Sequence, residues 1–127
     1  MKTTLQKHLA TIAPSISIET IWEHDPDCHS IQDDCDGFED EDPNDWQCWQ
    51  SEIRATAIHC GEEVTGQAYL GGTWEKAGEY PWVANPEISG YEAQMTVEAL
   101  EELRDKIAPG DRRQVLEAIA FIEKGEA

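Results

Sequence analysis

Basic residues are scarce in this chain of 127 residues, which has nine Lys and Arg against 27 Asp and Glu and a formal net charge of −18 at pH 7. So large a negative charge would repel the phosphate backbone, so direct binding to nucleic acid is disfavoured. Binding to an anionic membrane is disfavoured for the same reason. A basic protein surface is the partner that this charge would attract.

Long apolar runs are also missing. The sequence contains no stretch of about 18 apolar residues that would span a membrane. Its beginning, MKTTLQKHLATIAPSISI, lacks the apolar core of a signal peptide. We therefore expect a cytoplasmic protein in which the four cysteines are free thiols, although their even number also allows disulfides. These cysteines are Cys28, Cys35, Cys48 and Cys60.

Sequence motifs of catalysis are absent too. There is no glycine-rich phosphate loop, no serine-centred elbow and no His-Glu-x-x-His run. His59 and Cys60 are neighbours, and adjacent residues of a strand point to opposite faces of the sheet. A thiolate–imidazole pair would therefore have to come from different segments, such as Cys48 with His24. We expect no enzymatic activity, no catalytic residues and no cofactor.

Metal-binding patterns are incomplete. Asp34 and Asp36 occupy the third and fifth positions of a loop like that of an EF-hand around Gly37, but Gln32 and Pro43 fill the positions of its first and last ligands. The cysteines form no Cys-x-x-Cys pair of the kind that zinc sites usually contain. A calcium or zinc site in the acidic, cysteine-containing loop remains an alternative function.

What the sequence does contain is a concentration of acids in the stretch IQDDCDGFEDEDPNDW, residues 31–46. Thirteen acidic residues and no basic one lie between Lys7 and Arg54. A metal site, a disordered solvated loop and a surface for a basic partner would each explain the stretch, and the uneven distribution of charge favours a binding face. The acids within the stretch are Asp33, Asp34, Asp36, Glu39, Asp40, Glu41, Asp42 and Asp45.

Two tryptophans follow the acids. Trp46 and Trp49 are three positions apart, so both cannot face inward in a regular strand. Tryptophan is enriched at the centres of protein interfaces. We therefore add Trp46 and Trp49 to the eight acids as predicted partner-binding residues.

Periodicity predicts an α+β fold of a single domain, residues 1–127, with an acidic loop at about 25–45. Helical spacing indicates a helix over residues 3–12, and alternation indicates strands over 15–24, 46–60 and 63–70, with a bulge near Gln50. Gly71 and Gly72 are expected to end the pairing. The sheet should be antiparallel, with three to four strands, and the N-terminal helix and two C-terminal helices should pack on one face.

The two C-terminal helices have predicted caps. Thr96 is expected to cap a helix that ends at Ile107. Asp111 and Gln114 have the spacing of a capping box for the last helix. Its inner stripe is predicted to consist of Val115, Leu116, Ile119 and Ile122.

Three fragments, IWEHDPD, YLGGTWE and ISGYEAQMTVEALEELRDKI, resemble in this order small acidic proteins encoded by bacteriophages and prophages, most of which have no assigned function. The resemblance spans roughly residues 18–107 and supplies no catalytic residues. It implies a phage accessory protein in a bacterial cytoplasm. Anti-CRISPR and anti-restriction proteins of similar size and charge block host defences by presenting carboxylates where nucleic acid would bind.

The sequence thus favours a non-enzymatic acidic protein that occupies a basic, nucleic-acid-binding surface of a host protein, in the manner of a DNA mimic. One alternative is the metal-binding domain. Another is a phage accessory protein with a structural role, whose charge only keeps it in solution.

Overall fold

Four α-helices and three strands make up residues 2–83 and 88–125, the part of the chain that the computed structural model describes. Two 3₁₀ turns, Pro43–Asp45 and Pro109–Asp111, lie between them. In chain order the elements are α1 (Thr4–Ile12), β1 (Ser17–His24), α2 (Ile31–Asp34), β2 (Trp46–His59), β3 (Glu62–Lys76), α3 (Gly90–Lys106) and α4 (Arg113–Gly125).

The three strands form an antiparallel sheet in the order β1-β2-β3, which confirms the predicted α+β class. Ile18 of β1 lies opposite Ala55 of β2, and Ala55 lies opposite Gly66 of β3. Directly opposed residues share a face of the sheet, so this row and the next, Thr20–Ile53–Ala68, point toward the core. Ile18 and Thr20, which alternate with Ser17 and Glu19 in the sequence, therefore lie on the inward face of β1.

The prediction that Gly71 and Gly72 end the pairing is wrong. β3 continues to Lys76, and the two glycines instead accommodate an irregularity in the register. Between the pairs Ser51–Leu70 and Trp49–Thr73, β2 contributes one residue and β3 contributes two. Gly72 has a φ of 71°, a conformation that glycine adopts at little cost. The bulge predicted near Gln50 exists, but its extra residue lies on β3.

Helices α1 and α3 pack on one face of the sheet, and α4 packs on α1 and α3. The core lies between them and includes Leu5, Leu9, Ile53, Leu100, Leu103, Val115 and Ile122. The expected packing of helices on one face is confirmed, with α4 lying mainly against the other helices. Leu116, predicted to face inward, is 48% exposed, because α4 turns Val115, Ala118, Ile119 and Ile122 toward the core.

The two predicted C-terminal caps are wrong. α3 begins at Gly90, and Thr96 lies inside it, buried, with its hydroxyl donating to the carbonyl oxygen of Glu92. Asp111 ends a 3₁₀ turn and its carboxylate pairs with His59. Gln114 accepts hydrogen bonds from the backbone N–H and the hydroxyl of Ser15, so both side chains of the expected capping box contact distant segments.

A buried polar network joins α1 to α3. Thr3 caps α1 by accepting a hydrogen bond from the backbone N–H of Gln6, and its hydroxyl donates to the carboxylate of Glu92. Gln6 in turn donates to the hydroxyl of Thr20 on β1. Burial raises the pKa of Glu92, which is 2% exposed, and the hydrogen bond from Thr3 opposes that rise.

Candidate functional site

The acidic segment, residues 25–45, contains regular secondary structure where the sequence predicted only a loop. It contains the single helical turn α2 and the 3₁₀ turn Pro43–Asp45. Ser30 caps α2 by accepting a hydrogen bond from the backbone N–H of Asp33. Ile31, at the start of α2, is 1% exposed and holds the segment against the protein.

Side chains within the segment fix its backbone. The Gln32 amide donates to the carbonyl oxygens of Glu39 and Glu41, over 3.3 and 2.6 Å. Asp42 accepts a hydrogen bond from the backbone N–H of Asn44. These hydrogen bonds constrain the backbone between Gln32 and Asn44, which carries seven of the eight exposed acids.

The ends of the segment are attached to the sheet. The backbone N–H of Ala77 donates to the carbonyl oxygen of Asp45 over 2.8 Å, which joins the segment to the chain beyond β3. At the other end, the Asp25 carboxylate accepts a hydrogen bond from the backbone N–H of Gly72 over 2.8 Å. The segment is therefore held at the end of the sheet where β1 ends, β2 begins and β3 ends.

A disulfide provides a further attachment. Cys28 and Cys48 are bonded to each other, with their Cα atoms 6.4 Å apart. The prediction that all four cysteines are free thiols is therefore wrong for this pair. The backbone N–H of Asp25 donates a hydrogen bond to the carbonyl oxygen of Cys48, and this contact brings the chain around Cys28 close to Cys48. Cys35 is a half-buried free thiol and Cys60 an exposed one.

The eight acids predicted from the sequence all lie on the surface. Every one of them is exposed: Asp33, Asp34, Asp36, Glu39, Asp40, Glu41, Asp42 and Asp45. In residues 2–83 and 88–124, the ion pairs involve other carboxylates, those of Glu52, Glu101, Glu102, Asp105 and Asp111. The charge of the acidic segment is thus not neutralised by ion pairs within the described structure.

The two predicted tryptophans take different places. Trp46 is half-buried and packs edge-on against Phe38 of the acidic segment, with its indole N–H directed at Glu41 and the Lys76 ammonium 5.8 Å from its ring. Trp49 is 7% exposed, so its side chain is removed from the predicted partner-binding set. The pairing of β2 is regular between these two residues, so their side chains point to opposite faces of the sheet, and Trp49 is on the buried one.

Trp49 instead joins an aromatic cluster. Its ring stacks on His24 at 4.7 Å between centroids and lies 5.0 Å from Tyr80, which also contacts Trp22 at 5.1 Å. The cluster supports the end of the sheet to which the acidic segment is attached. Of these tryptophans, Trp46 contacts the acidic segment directly, through Phe38 and Glu41.

Glu75 of β3 and Glu79 after it add negative charge at the end of the sheet that holds the acidic segment. Partial burial and the neighbouring charge of Glu79 raise the pKa of Glu75. Glu75 lies opposite Gln47, one residue along β2 from Trp46. The like-charge repulsion between Glu75 and Glu79 is the expected consequence of crowding carboxylates at this end of the sheet.

One group of potential metal ligands occurs in the described residues. A carboxylate oxygen of Asp25 and the sulfurs of Cys28 and Cys48 all lie within 4.8 Å of one another. The two sulfurs cannot serve as thiolate ligands while they are bonded to each other. The loop around Gly37, with Asp34 and Asp36, does not belong to this group.

A second group of reactive side chains lies at the other end of the sheet and was missed by sequence reasoning. The Cys60 sulfur is 3.7 Å from Nε2 of His59, and Nδ1 of His59 is 3.1 Å from the carboxylate of Asp111. The expectation that His59 and Cys60 point apart is wrong, because Cys60 has left strand geometry with a φ of 53°. The Cys60-Gly61 pair in a two-residue hairpin loop was the available signal.

Comparison of the chain with protein-family models, with curated proteins and with solved structures finds no match. Among the described helices, none is both long enough and apolar enough to cross a membrane.

Proposed function

We propose that this protein is a non-enzymatic binding protein whose acidic segment occupies a basic, nucleic-acid-binding surface of another protein. The observation that supports this most is that eight carboxylates are exposed on a backbone held by the Gln32 amide and by hydrogen bonds that join Asp25 and Asp45 to β3 and the chain beyond it. A charge run that served only solubility would need no such attachment. Because the backbone is already ordered, binding would cost less conformational entropy than it would for a disordered tail.

The charge density of the segment is comparable with that of nucleic acid. Duplex DNA presents roughly one charge for every 1.7 Å of its axis. The segment holds eight acids in thirteen positions, and Glu75 and Glu79 lie close to its attachment point. A groove lined by Lys and Arg would find a similar row of anionic oxygens on either ligand, which is the physical basis of mimicry.

The setting that fits this activity is infection of a bacterium. The resemblance to small acidic phage and prophage proteins supports a phage-encoded inhibitor of host defence, of the anti-CRISPR or anti-restriction type, acting in the cytoplasm of the host. The partner is then a basic host protein or complex that holds DNA or RNA. This protein would bind neither nucleic acid nor membrane itself.

The test is capture followed by competition. Tagged protein is incubated with a bacterial lysate at about 50 mM and about 500 mM salt, since screening weakens contacts between exposed charges. Proteins that are retained only at low salt are identified, purified and offered labelled DNA or RNA together with increasing amounts of this protein. The proposal predicts that the nucleic acid is displaced in proportion to the protein added. A ternary complex that holds both would overturn it.

The metal-binding alternative is favoured by one observation, the convergence of Asp25, Cys28 and Cys48. In a reducing cytoplasm the disulfide would open and give two thiolates and a carboxylate, a donor set suited to zinc. Adding Zn²⁺ to the reduced protein tests this. Uptake of one ion, with stabilisation by about 2.7 kcal/mol at a hundredfold excess over the dissociation constant, would favour the alternative. Our proposal predicts no such stabilisation.

A further inference from the structure

Cys60 and His59 at the β2–β3 turn, with Asp111 at the end of the 3₁₀ turn before α4, form a chain of contacts that the binding function does not use. The Cys60 sulfur lies 3.7 Å from Nε2 of His59, and Nδ1 of the same ring lies 3.1 Å from the Asp111 carboxylate. A carboxylate oxygen accepts rather than donates a hydrogen bond, so this contact places the proton of the neutral His59 ring on Nδ1. Nε2 is then unprotonated and directed at the thiol, as a general base must be.

The backbone at Cys60 favours a role for this residue. Cys60 and Gly61 occupy the two-residue hairpin loop between the paired residues His59 and Glu62, with φ values of 53° and 80°. Asn or Gly adopts the first of these positions more readily than Cys, because a positive φ crowds the Cβ atom. Strained backbone at a nucleophile is a recurrent feature of reactive sites.

The surroundings give the thiol access and a place for a substrate. Cys60 is exposed, whereas the His59 side chain is 22% exposed and therefore held in position. Cys60, His59 and Asp111 all line a cavity of about 520 Å³ between the hairpin end, the loop after α1 and the start of α4. Its walls include the apolar side chains of Ile16, Ile107 and Val115, and its rim includes Arg113.

We propose that Cys60 is a nucleophilic thiol that accepts an acyl group from small activated esters or thioesters, with His59 as its base and Asp111 as the residue that positions His59. His59 Nε2 takes the thiol proton while the sulfur attacks the carbonyl carbon. The bond from that carbon to the leaving group breaks, and His59 returns the proton to the leaving alcohol or thiol. The products are a Cys60 thioester and a free alcohol or thiol, with no oxidant or reductant required.

This site is independent of the acidic segment. Cys60 lies beyond the last residue of β2, and the segment joins its first residue, so at about 3.3 Å per residue roughly 40 Å of strand separates them. The simpler interpretation is that His59 and Asp111 form an ion pair that attaches the hairpin to the segment before α4, and that Cys60 has no chemical role. The two interpretations differ in what happens to the thiol when His59 is replaced.

The test uses the full chain with Cys35→Ser, so that Cys60 is the free thiol beside the Cys28–Cys48 disulfide. The probe is p-nitrophenyl acetate at pH 7. The reaction is measured by the release of p-nitrophenolate and by the mass of the peptide that contains Cys60. The proposal predicts release of one equivalent and one acetyl group on Cys60. Cys60→Asn, which suits the turn, should stay folded and release none of this equivalent.

Replacement of His59 separates the two interpretations. His59→Ala should slow acylation of Cys60 on the order of 10²-fold, as loss of a general base does. Asp111→Asn should slow it less, with the fold intact by circular dichroism. Acylation of Cys60 at an unchanged rate in folded His59→Ala, or acylation no faster than that of a simple thiol at the same pH, would overturn the proposal.

Discussion

The backbone of Ala99 on α3 lies so close to Gly66 on β3 that no side chain fits between them. A Cβ atom added at Gly66 would lie 2.0 Å from the carbonyl oxygen of Ala99 and 2.6 Å from the backbone nitrogen of Leu103. Both obstacles are backbone atoms, so relief would require α3 to move away from the sheet. Gly66 therefore sets the distance between the helical layer and the strands.

Gly66→Ala should destabilise the protein by more than the usual cost of about 1–3 kcal/mol for overpacking, because a helix rather than a side chain must shift. Urea unfolding measures the change. The matched control is Gly110→Ala, since an added Cβ there meets no atom within 4 Å, and this variant should unfold close to the wild type. Equal midpoints for the two variants would contradict the packing described for α3.

Glu92→Gln should make the protein more stable at pH 7. Burial raises the pKa of Glu92, so its folded pKa lies above its unfolded value and its contribution to stability is lost as pH rises through the folded pKa. Glutamine keeps an oxygen for the Thr3 hydroxyl but carries no charge. The gain should shrink as pH falls from the folded pKa toward the unfolded value, near 4.5, and should be absent below that value.

The comparison for this prediction is Glu98→Gln, an exposed position on the same helix that changes the net charge by the same amount. It should shift the urea midpoint little across pH 4–8. A stability difference for Glu92→Gln that does not vary with pH would show that the Glu92 carboxylate is not strained by its burial.

Reduction of the Cys28–Cys48 bond should loosen the acidic segment and leave the core folded. The bond closes a loop with a sequence separation of 20, for which the entropic model gives roughly 3 kcal/mol of stabilisation. Hydrogen exchange should quicken in residues 25–45 of the Cys28→Ser/Cys48→Ser variant and remain slow in α3. Cys35→Ser, which leaves the bond intact, serves as the control. Uniform exchange across the chain in both variants would contradict this account.

The antiparallel sheet and the inward face of its strands could be predicted because alternation is a local property of the strands. Ile16, Ile18 and Thr20 follow a period of two, Ile53 and Ala55 follow the same period on β2, and Gly61 marks the hairpin turn. The start of α3 could not be predicted in the same way. Thr96 has the chemistry of a cap, but tertiary packing buries it inside the helix, where its hydroxyl bonds to the preceding turn.

The candidate sites were predictable to different degrees. Charge alone indicated the acidic residues, because exposed carboxylates need no partner to stay at the surface. Alternation places Trp46 and Trp49 on opposite faces without saying which of them is buried. The disulfide depends on how the chain returns from Asp25 to Cys48, which no local pattern encodes. The chain of contacts at Cys60 depends on one backbone angle and on Asp111, which is 52 positions away from His59 in the sequence.

The central claim, that the acidic segment binds a basic partner electrostatically, is tested most directly by measuring the affinity of the captured partner for two triple variants across a salt series. Asp40→Asn/Glu41→Gln/Asp42→Asn keeps the acceptor oxygens of the segment, and Glu98→Gln/Glu117→Gln/Glu123→Gln removes the same charge from the helices. The account predicts that the first variant binds far more weakly at low salt, with a shallower salt dependence, and that the second binds nearly as the wild type does. Equal affinities for the two variants would contradict it.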